Sequence, residues 1–265
     1  MKHGFLEILL LAQHKTDPNL VLHAKRVACY ASELATILGH QDKFKKLFIA
    51  GLLHDLGFLS LDIQFREGDL GLTQEQTIME FHNHGIESER LLSPLISDKE
   101  LLSAIRHHHE KYNGEGFPDQ LEGENIPLCA RILAVADLYD ALLIGKLFGE
   151  KRITPKDAIE QMTTNKDISL DPIIVEAFIK LLEKNPVLLQ PKGHNALAVY
   201  KMIFLEPGNL EQGDLINQDG TILVKQGYVL DEKTLEKIRF DFPGQKLIKP
   251  EIKQAEAETE NNTVT

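Results

Sequence analysis

The sequence predicts a mainly α-helical fold: a helical bundle followed by a small β-rich C-terminal appendage. Three observations predict it. Apolar residues recur at steps of three and four through most of the first 185 positions, the spacing that gives a helix one buried stripe. Thr154-Pro155 and Asp171-Pro172 each set a capping side chain before a proline, a signature of helix starts. Near residue 190 the helical periodicity stops, and Asp219-Gly220 stands between apolar segments over 215–224, as in a β-hairpin.

In chain order, residues 5–13 form a short apolar helix that breaks near Asp17-Pro18. Over 19–39, His23, Val27, Ala31, Leu34 and Leu38 fall on one stripe, so His23 belongs on a buried face. A helix over about 43–55 carries Phe44, Leu47, Phe48, Leu52 and Leu53 and ends in His54-Asp55. Residues 56–73 lose periodicity and read as a loop. Thr73 opens the next helix, with a break expected around 82–85, and a further helix spans about 99–110. Asn113-Gly114-Glu115-Gly116-Phe117-Pro118 is a polar, glycine-rich loop. Pro127 opens a long apolar helix to about residue 147, and the two proline-started helices follow. The expected organisation is a helical domain over 1–188, a small β-rich module over 189–250 and a disordered tail over 251–265, where EIKQAEAETENNTVT has almost nothing to bury.

Composition narrows the function classes. A net charge of −11 argues against a general nucleic-acid or anionic-membrane binder, because phosphate backbones require basic surface. Two cysteines, Cys29 and Cys129, form neither a C-x-x-C nor a disulfide framework. The apolar start is interrupted by Glu7 and lacks a small-residue cleavage site. No run approaches the roughly 20 apolar residues of a membrane helix. The expectation is a cytoplasmic protein without a membrane span.

The chemistry is carried by histidines and aspartates. In Leu52-Leu53-His54-Asp55-Leu56-Gly57 and in Ile132-Leu133-Ala134-Val135-Ala136-Asp137-Leu138, polar groups interrupt apolar runs, where unpaired polar groups are costly to bury. Asp140 lies one turn beyond Asp137 on the same face. Singly, each buried histidine reads as a hydrogen-bonded core residue. Jointly, His23, His54, Asp55, His84, His108, His109 and Asp137 exceed one ordinary metal site and suit two adjacent cations sharing a carboxylate. Nitrogen and oxygen donors without thiolate favour Fe, Mn or Zn. Two such ions can activate a water and stabilise a departing oxygen in phosphoester hydrolysis.

The order His23, His54-Asp55, Asp137 resembles the HD superfamily of metal-dependent phosphohydrolases. Together with His84, His108-His109-Glu110, the Asn113 to Pro118 loop, Ile126-Pro127 and Arg131-Ile132-Leu133-Ala134-Val135-Ala136-Asp137, the chain resembles the HD-GYP subfamily, whose members hydrolyse cyclic di-GMP. The similarity runs over about 9–182. It implies an HD-type bundle in which His23, His54, Asp55 and Asp137 hold one divalent ion. His84, His108 and His109 hold a second, with Asp55 bridging and Fe or Mn preferred. It further implies His54 and Asp55 as catalytic residues, a bridging water that attacks phosphorus in line, and a cyclic dinucleotide opened to its linear form. A diguanylate cyclase (GGDEF) partner would fit such a module.

This chain departs from the subfamily pattern at several positions. Where relatives usually carry lysine after H-D-x-G, it has Phe58, which can neither donate a proton nor offset phosphate charge. Phe117 replaces the usual tyrosine, Asn113 an aspartate and Ser88 a glycine. Gly145-Lys146-Leu147-Phe148-Gly149 replaces a basic D-R-P-Y-R segment. Lys146, Lys111 and Asp140 remain candidates for substrate binding, with Arg106 a further phosphate contact and Glu110 a partner that orients a histidine. The alternatives are an HD phosphohydrolase acting on another nucleotide and a non-catalytic metal-binding signalling module.

Overall fold

The computed structural model describes residues 3–60, 74–144, 152–185, 215–216 and 222–224. The chain divides into two compact units, Met1–Leu197 and Ala198–Thr265. The described part of the first unit is helical.

Helix α1 (His3–Thr16) turns at Asp17, whose carboxylate accepts from the Asn19 amide at 2.8 Å and starts α2 (Pro18–Ile37). A 3-10 turn over Gln41–Lys43 leads into α3 (Phe44–Leu53), and a second over Leu56–Ser60 follows the His54-Asp55 pair. Then come α4 (Gln74–Leu92), α5 (Lys99–Arg106), α6 (Leu128–Ile144), α7 (Pro155–Thr164) and α8 (Pro172–Lys184). The capping signals act as read: Thr154 Oγ1 accepts from the Asp157 amide at 3.2 Å, and Asp171 Oδ1 from the Ile173 amide at 2.9 Å.

Helix α2 is the axis of this unit, packing against α1, α3, α6 and α8, while α5 packs against α3, α4 and α6. Tyr30 of α2, Tyr139 of α6 and Phe178 of α8 meet edge to face, with ring centroids 5.1–5.8 Å apart. All three are fully buried. At Gly51, α2 and α3 touch backbone to backbone. A Cβ there would come within 2.5 Å of the Ala28 Cα, so only glycine allows the approach.

Two expectations are corrected. The break around 82–85 does not occur, and α4 runs unbroken through it. Gly85 is present because a Cβ would meet the Arg106 and Ile105 carbonyls at 3.0 and 3.3 Å; it permits close packing on α5. Helix α5 ends at Arg106 rather than near 110, because His108 and Glu110 turn toward other partners, described below.

In the second unit, Leu215–Ile216 (β1) and Ile222–Val224 (β2) pair antiparallel, with Leu215 opposite Val224 and Ile216 opposite Ile222. The described residues thus carry one pair of short strands and do not establish a β-rich module. The rest of the module expected over 189–250 and the tail expected over 251–265 lie outside the described residues. No helix among the described residues is long and apolar enough to cross a membrane.

Candidate metal centre

The centre is assembled where α3 ends. Seven consecutive residues from Leu47 to Leu53 are buried, and this apolar stretch carries His54 and Asp55, 0% and 5% exposed, into the interior. The Gly51–Ala28 contact brings α2 alongside, so the His23 and His54 rings lie 5.3 Å apart. Asp137 arrives from α6, His84 from α4, and His108-His109 from the turn after α5.

Backbone and carboxylate partners fix which ring nitrogen each histidine presents. His54 Nδ1–H donates to the Gly51 carbonyl at 2.9 Å, and His108 Nδ1–H to the Ile105 carbonyl at 2.6 Å. A carbonyl only accepts, so Nε2 of each neutral ring is left with a lone pair facing inward. His23 Nδ1 lies 2.7 Å from Asp140 Oδ2. The inward nitrogens then converge. His84 Nε2 is 3.2 Å from His108 Nε2, 3.1 Å from His109 Nε2 and 3.4 Å from Asp55 Oδ1. His23 Nε2 is 3.0 Å from Asp137 Oδ1 and 3.6 Å from Asp55 Oδ2, while His54 Nε2 is 3.3 Å from Asp55 Oδ1 and 3.5 Å from Asp137 Oδ1.

This donor set fits divalent ions. His54 Nε2 is buried without a hydrogen-bond partner, an expensive condition unless a cation occupies the space it faces. Ligands about 2.0–2.1 Å from one ion stand roughly 3.0–3.4 Å from each other, close to the 3.0–3.6 Å separations found here. Three groupings place donor atoms within 4.8 Å of one another: His84, His108 and His109; His23, His54 and Asp55; and His54, His108 and Asp137. Burial, with His54 and His84 close by, pushes His108 down to about 3, and His109 is driven well below its ordinary value for similar reasons. Both rings are therefore neutral donors at physiological pH. Burial works to raise Asp137, but the His23 and His54 rings beside it outweigh that and hold the carboxyl well below the usual range.

All seven expected ligands thus come together. The other candidates are placed differently. Asp140 is fully buried, and Arg26 engages both its oxygens, at 2.6 and 3.0 Å, behind His23. It stands behind a ligand rather than in reach of a substrate. Lys111 is exposed, and Lys146 lies outside the described residues. Arg106 is committed to Asp119 at 2.9 Å and Glu89 at 3.0 Å. Glu110 does not orient a histidine: it accepts from the Asp119 and Leu121 amides at 2.7 and 3.1 Å and shapes the loop carrying Phe117. Phe117 stacks on His82, with ring centroids 4.0 Å apart, and lies 5.0 Å from His109. Phe58 stacks on His84 at 4.4 Å with 12° between planes. Sequence reasoning missed Arg26, whose signal was its position one turn after His23.

Comparison with known proteins agrees with this geometry. Residues 8–174 match the HD domain family. The 3'3'-cGAMP-specific phosphodiesterase 2 of Vibrio cholerae is 32% identical over 166 residues, 60% of this chain and 30% of that protein. A cyclic di-GMP phosphodiesterase response regulator of Xanthomonas campestris is 32% identical over 166 residues, 59% of this chain and 42% of that protein. The chain thus spans less than half the length of either relative. The crystal structure of a cyclic GMP-AMP-specific phosphodiesterase of V. cholerae shares the fold, with a TM-score of 0.51 and 19% identity over 83% of this chain and 53% of that one.

Proposed function

This chain belongs to the HD domain family, and on that footing we propose that it is a dinuclear-metal phosphodiesterase. It hydrolyses cyclic di-GMP or a related cyclic dinucleotide such as 3'3'-cGAMP in second-messenger signalling, and residues 1–188 carry the activity. The observation that carries the reading is the convergence of five imidazoles and two carboxylates in one buried cluster.

His23, His54, Asp55 and Asp137 would hold one ion and His84, His108 and His109 the other, with Fe or Mn ahead of Zn. Bound there, two divalent cations supply an activated water and positive charge for the phosphoryl oxygens. The chain's own residues do the rest. Asp55 Oδ1, 3.3 Å from His54 and 3.4 Å from His84, lies between the two histidine sets, where a bridging carboxylate belongs. The Gly51 and Ile105 carbonyls and Asp140 hold three rings in the tautomer that offers Nε2. Phe58 has no proton to give, so at that position the chain offers no acid to the leaving oxygen. Incubation of the Mn- or Fe-loaded protein with cyclic di-GMP and 3'3'-cGAMP tests the proposal. A linear dinucleotide product, absent with His54→Ala, is the expected result; intact substrate in both samples would overturn it.

Phe58 favours a second reading, a non-catalytic module that binds metal and cyclic dinucleotide and acts through a partner such as a diguanylate cyclase domain. Calorimetric binding without any product would select it, and measurable turnover would remove it.

A further inference from the structure

Two departures from the family pattern, Phe58 and Ser88, lie where the turn after His54-Asp55 packs on α4, the helix that carries His84. Gly57 packs so tightly on α4 that a Cβ would collide with the His84 carbonyl oxygen and come within 2.8 Å of the Ser88 amide nitrogen. The Gly57 amide donates to Ser88 Oγ at 2.7 Å, and Ser88 Oγ donates to the His54 carbonyl at 2.6 Å. Ser88 is fully buried, so one hydroxyl with two partners ties the segment carrying His54 and Asp55 to the helix carrying His84. The same tight contact delivers the next residue, Phe58, flat onto the His84 ring, 4.4 Å away and 12° from parallel.

We propose that Ser88 and Phe58 are positioning residues that together clamp His84 against the His54-Asp55 turn and so preorganise the second metal position. The proposal rests on the dinuclear reading above and deepens it. The physical reasoning is that of any ligand sphere. An imidazole swinging about its side-chain torsions loses affinity unless its ring plane is fixed, and groups that orient ligands typically contribute ten- to 100-fold in metal affinity. His54 and His108 are fixed by carbonyl partners on their own elements. At His84 the clamp adds a restraint from a neighbouring segment, with the aromatic face setting the ring plane and the hydroxyl setting the distance between α4 and the turn. A lysine at 58 would extend past the ring and could not lie flat on it. A glycine at 88 would leave the buried Gly57 amide and His54 carbonyl without this shared partner.

The test is a titration of the metal-free protein with Co2+, read by visible absorption and by elemental analysis, on the wild type and the Phe58→Leu, Phe58→Tyr and Ser88→Ala variants. In Phe58→Leu and Ser88→Ala, the second equivalent should bind ten- to 100-fold more weakly while the first stays within about twofold. Phe58→Tyr, which keeps a flat ring, should bind both as the wild type does. Leucine fills comparable apolar volume, so a packing role alone would be met by Phe58→Leu. Unchanged affinity for the second equivalent in both Phe58→Leu and Ser88→Ala would overturn the proposal. So would parallel loss of both equivalents with loss of helical circular dichroism. The readout counts metal rather than turnover: a wild type that binds two ions yet leaves cyclic dinucleotides intact sinks the phosphodiesterase reading alone, whereas one that binds a single ion sinks the dinuclear site and this clamp with it.

Discussion

Asp140 commits both carboxylate oxygens, one to His23 and Arg26 together and the other to Arg26. Burial opposes its charge, but His23 and Arg26 prevail and hold its pKa below the ordinary value. In Asp140→Asn, the amide replaces an acceptor with a donor facing His23 or Arg26, both of which need acceptors. His23 then loses its fixed orientation. Metal affinity should fall ten- to 100-fold, measured by competition with a chromophoric chelator, while the helical circular dichroism persists. Glu33 on α2 presents a different residue-scale problem. It is buried with Oε1 unpartnered, and burial pushes its carboxyl up from 4.5 to about 7. Its neutral form suits the folded state, so the unfolded chain ionises first as pH rises. Stability is therefore full below pH 4.5 and is lost progressively up to about 7, at most about 3 kcal/mol. Denaturant titrations at pH 4.5 and pH 8 should show Glu33→Gln losing less stability than the wild type over that interval; equal losses would contradict the assignment. His54, Asp55 and Asp137 were legible because polar residues inside apolar runs demand an explanation, His23 because it falls on a buried stripe, and His84, His108 and His109 through the family resemblance. Asp140's position was legible too, but not its direction, because a helical face does not say which side of a ligand a carboxylate will take.

At the scale of elements, the site depends on how closely α2 and α3 approach. Gly51 permits that approach, and its carbonyl also orients His54. In Gly51→Ala the new methyl carbon would lie 2.5 Å from the Ala28 Cα and 2.7 Å from its nitrogen, both rigid backbone atoms, so the helices must separate. A destabilisation of about 1–3 kcal/mol is expected from overpacking, with metal loss beyond what stability alone explains, because His54 moves away from His23. Thermal denaturation and metal content measured on one preparation check both effects. Tyr139 points the other way: its hydroxyl is buried without a partner within the Tyr30–Phe178 cluster. Tyr139→Phe removes an unsatisfied polar atom while keeping the ring, so it should be neutral or stabilise by about 1 kcal/mol. Most helices were legible from periodicity and caps. The exceptions share a cause. Gly85 looked like a break and is a packing contact with α5, and the His108–Glu110 stretch looked helical but turns to reach His84 and the loop amides. Local pattern cannot register a neighbour that is remote in sequence.

For the molecule as a whole, the ligands come from α2, from the turn after α3, from α4, from the turn after α5 and from α6. Ions bound among them would therefore tie together most of the helical unit, which would make metal a folding ligand. An ion that binds the native state alone stabilises it by about 2.7 kcal/mol at one-hundredfold excess over its dissociation constant. For a domain of this size, that corresponds to roughly 5–10 °C in midpoint. Chelation should lower the thermal midpoint of the wild type by at least that amount, and adding back Mn2+ or Fe2+ should restore it. Asp55 gives the sharpest control, since its carboxylate lies within 3.3–3.6 Å of His54, His84 and His23. In Asp55→Ala both ligand sets lose their shared anion at once, leaving Asp137 as the one carboxylate among the seven to offset the mutual repulsion of two cations. Its midpoint should respond little to chelator or added metal, whereas His109→Ala, at the edge of one set, should keep part of the response. A wild-type midpoint indifferent to chelation would mean that the convergent nitrogens and carboxylates are held by the fold without an ion, and the orphaned His54 Nε2 would then be a standing cost to stability.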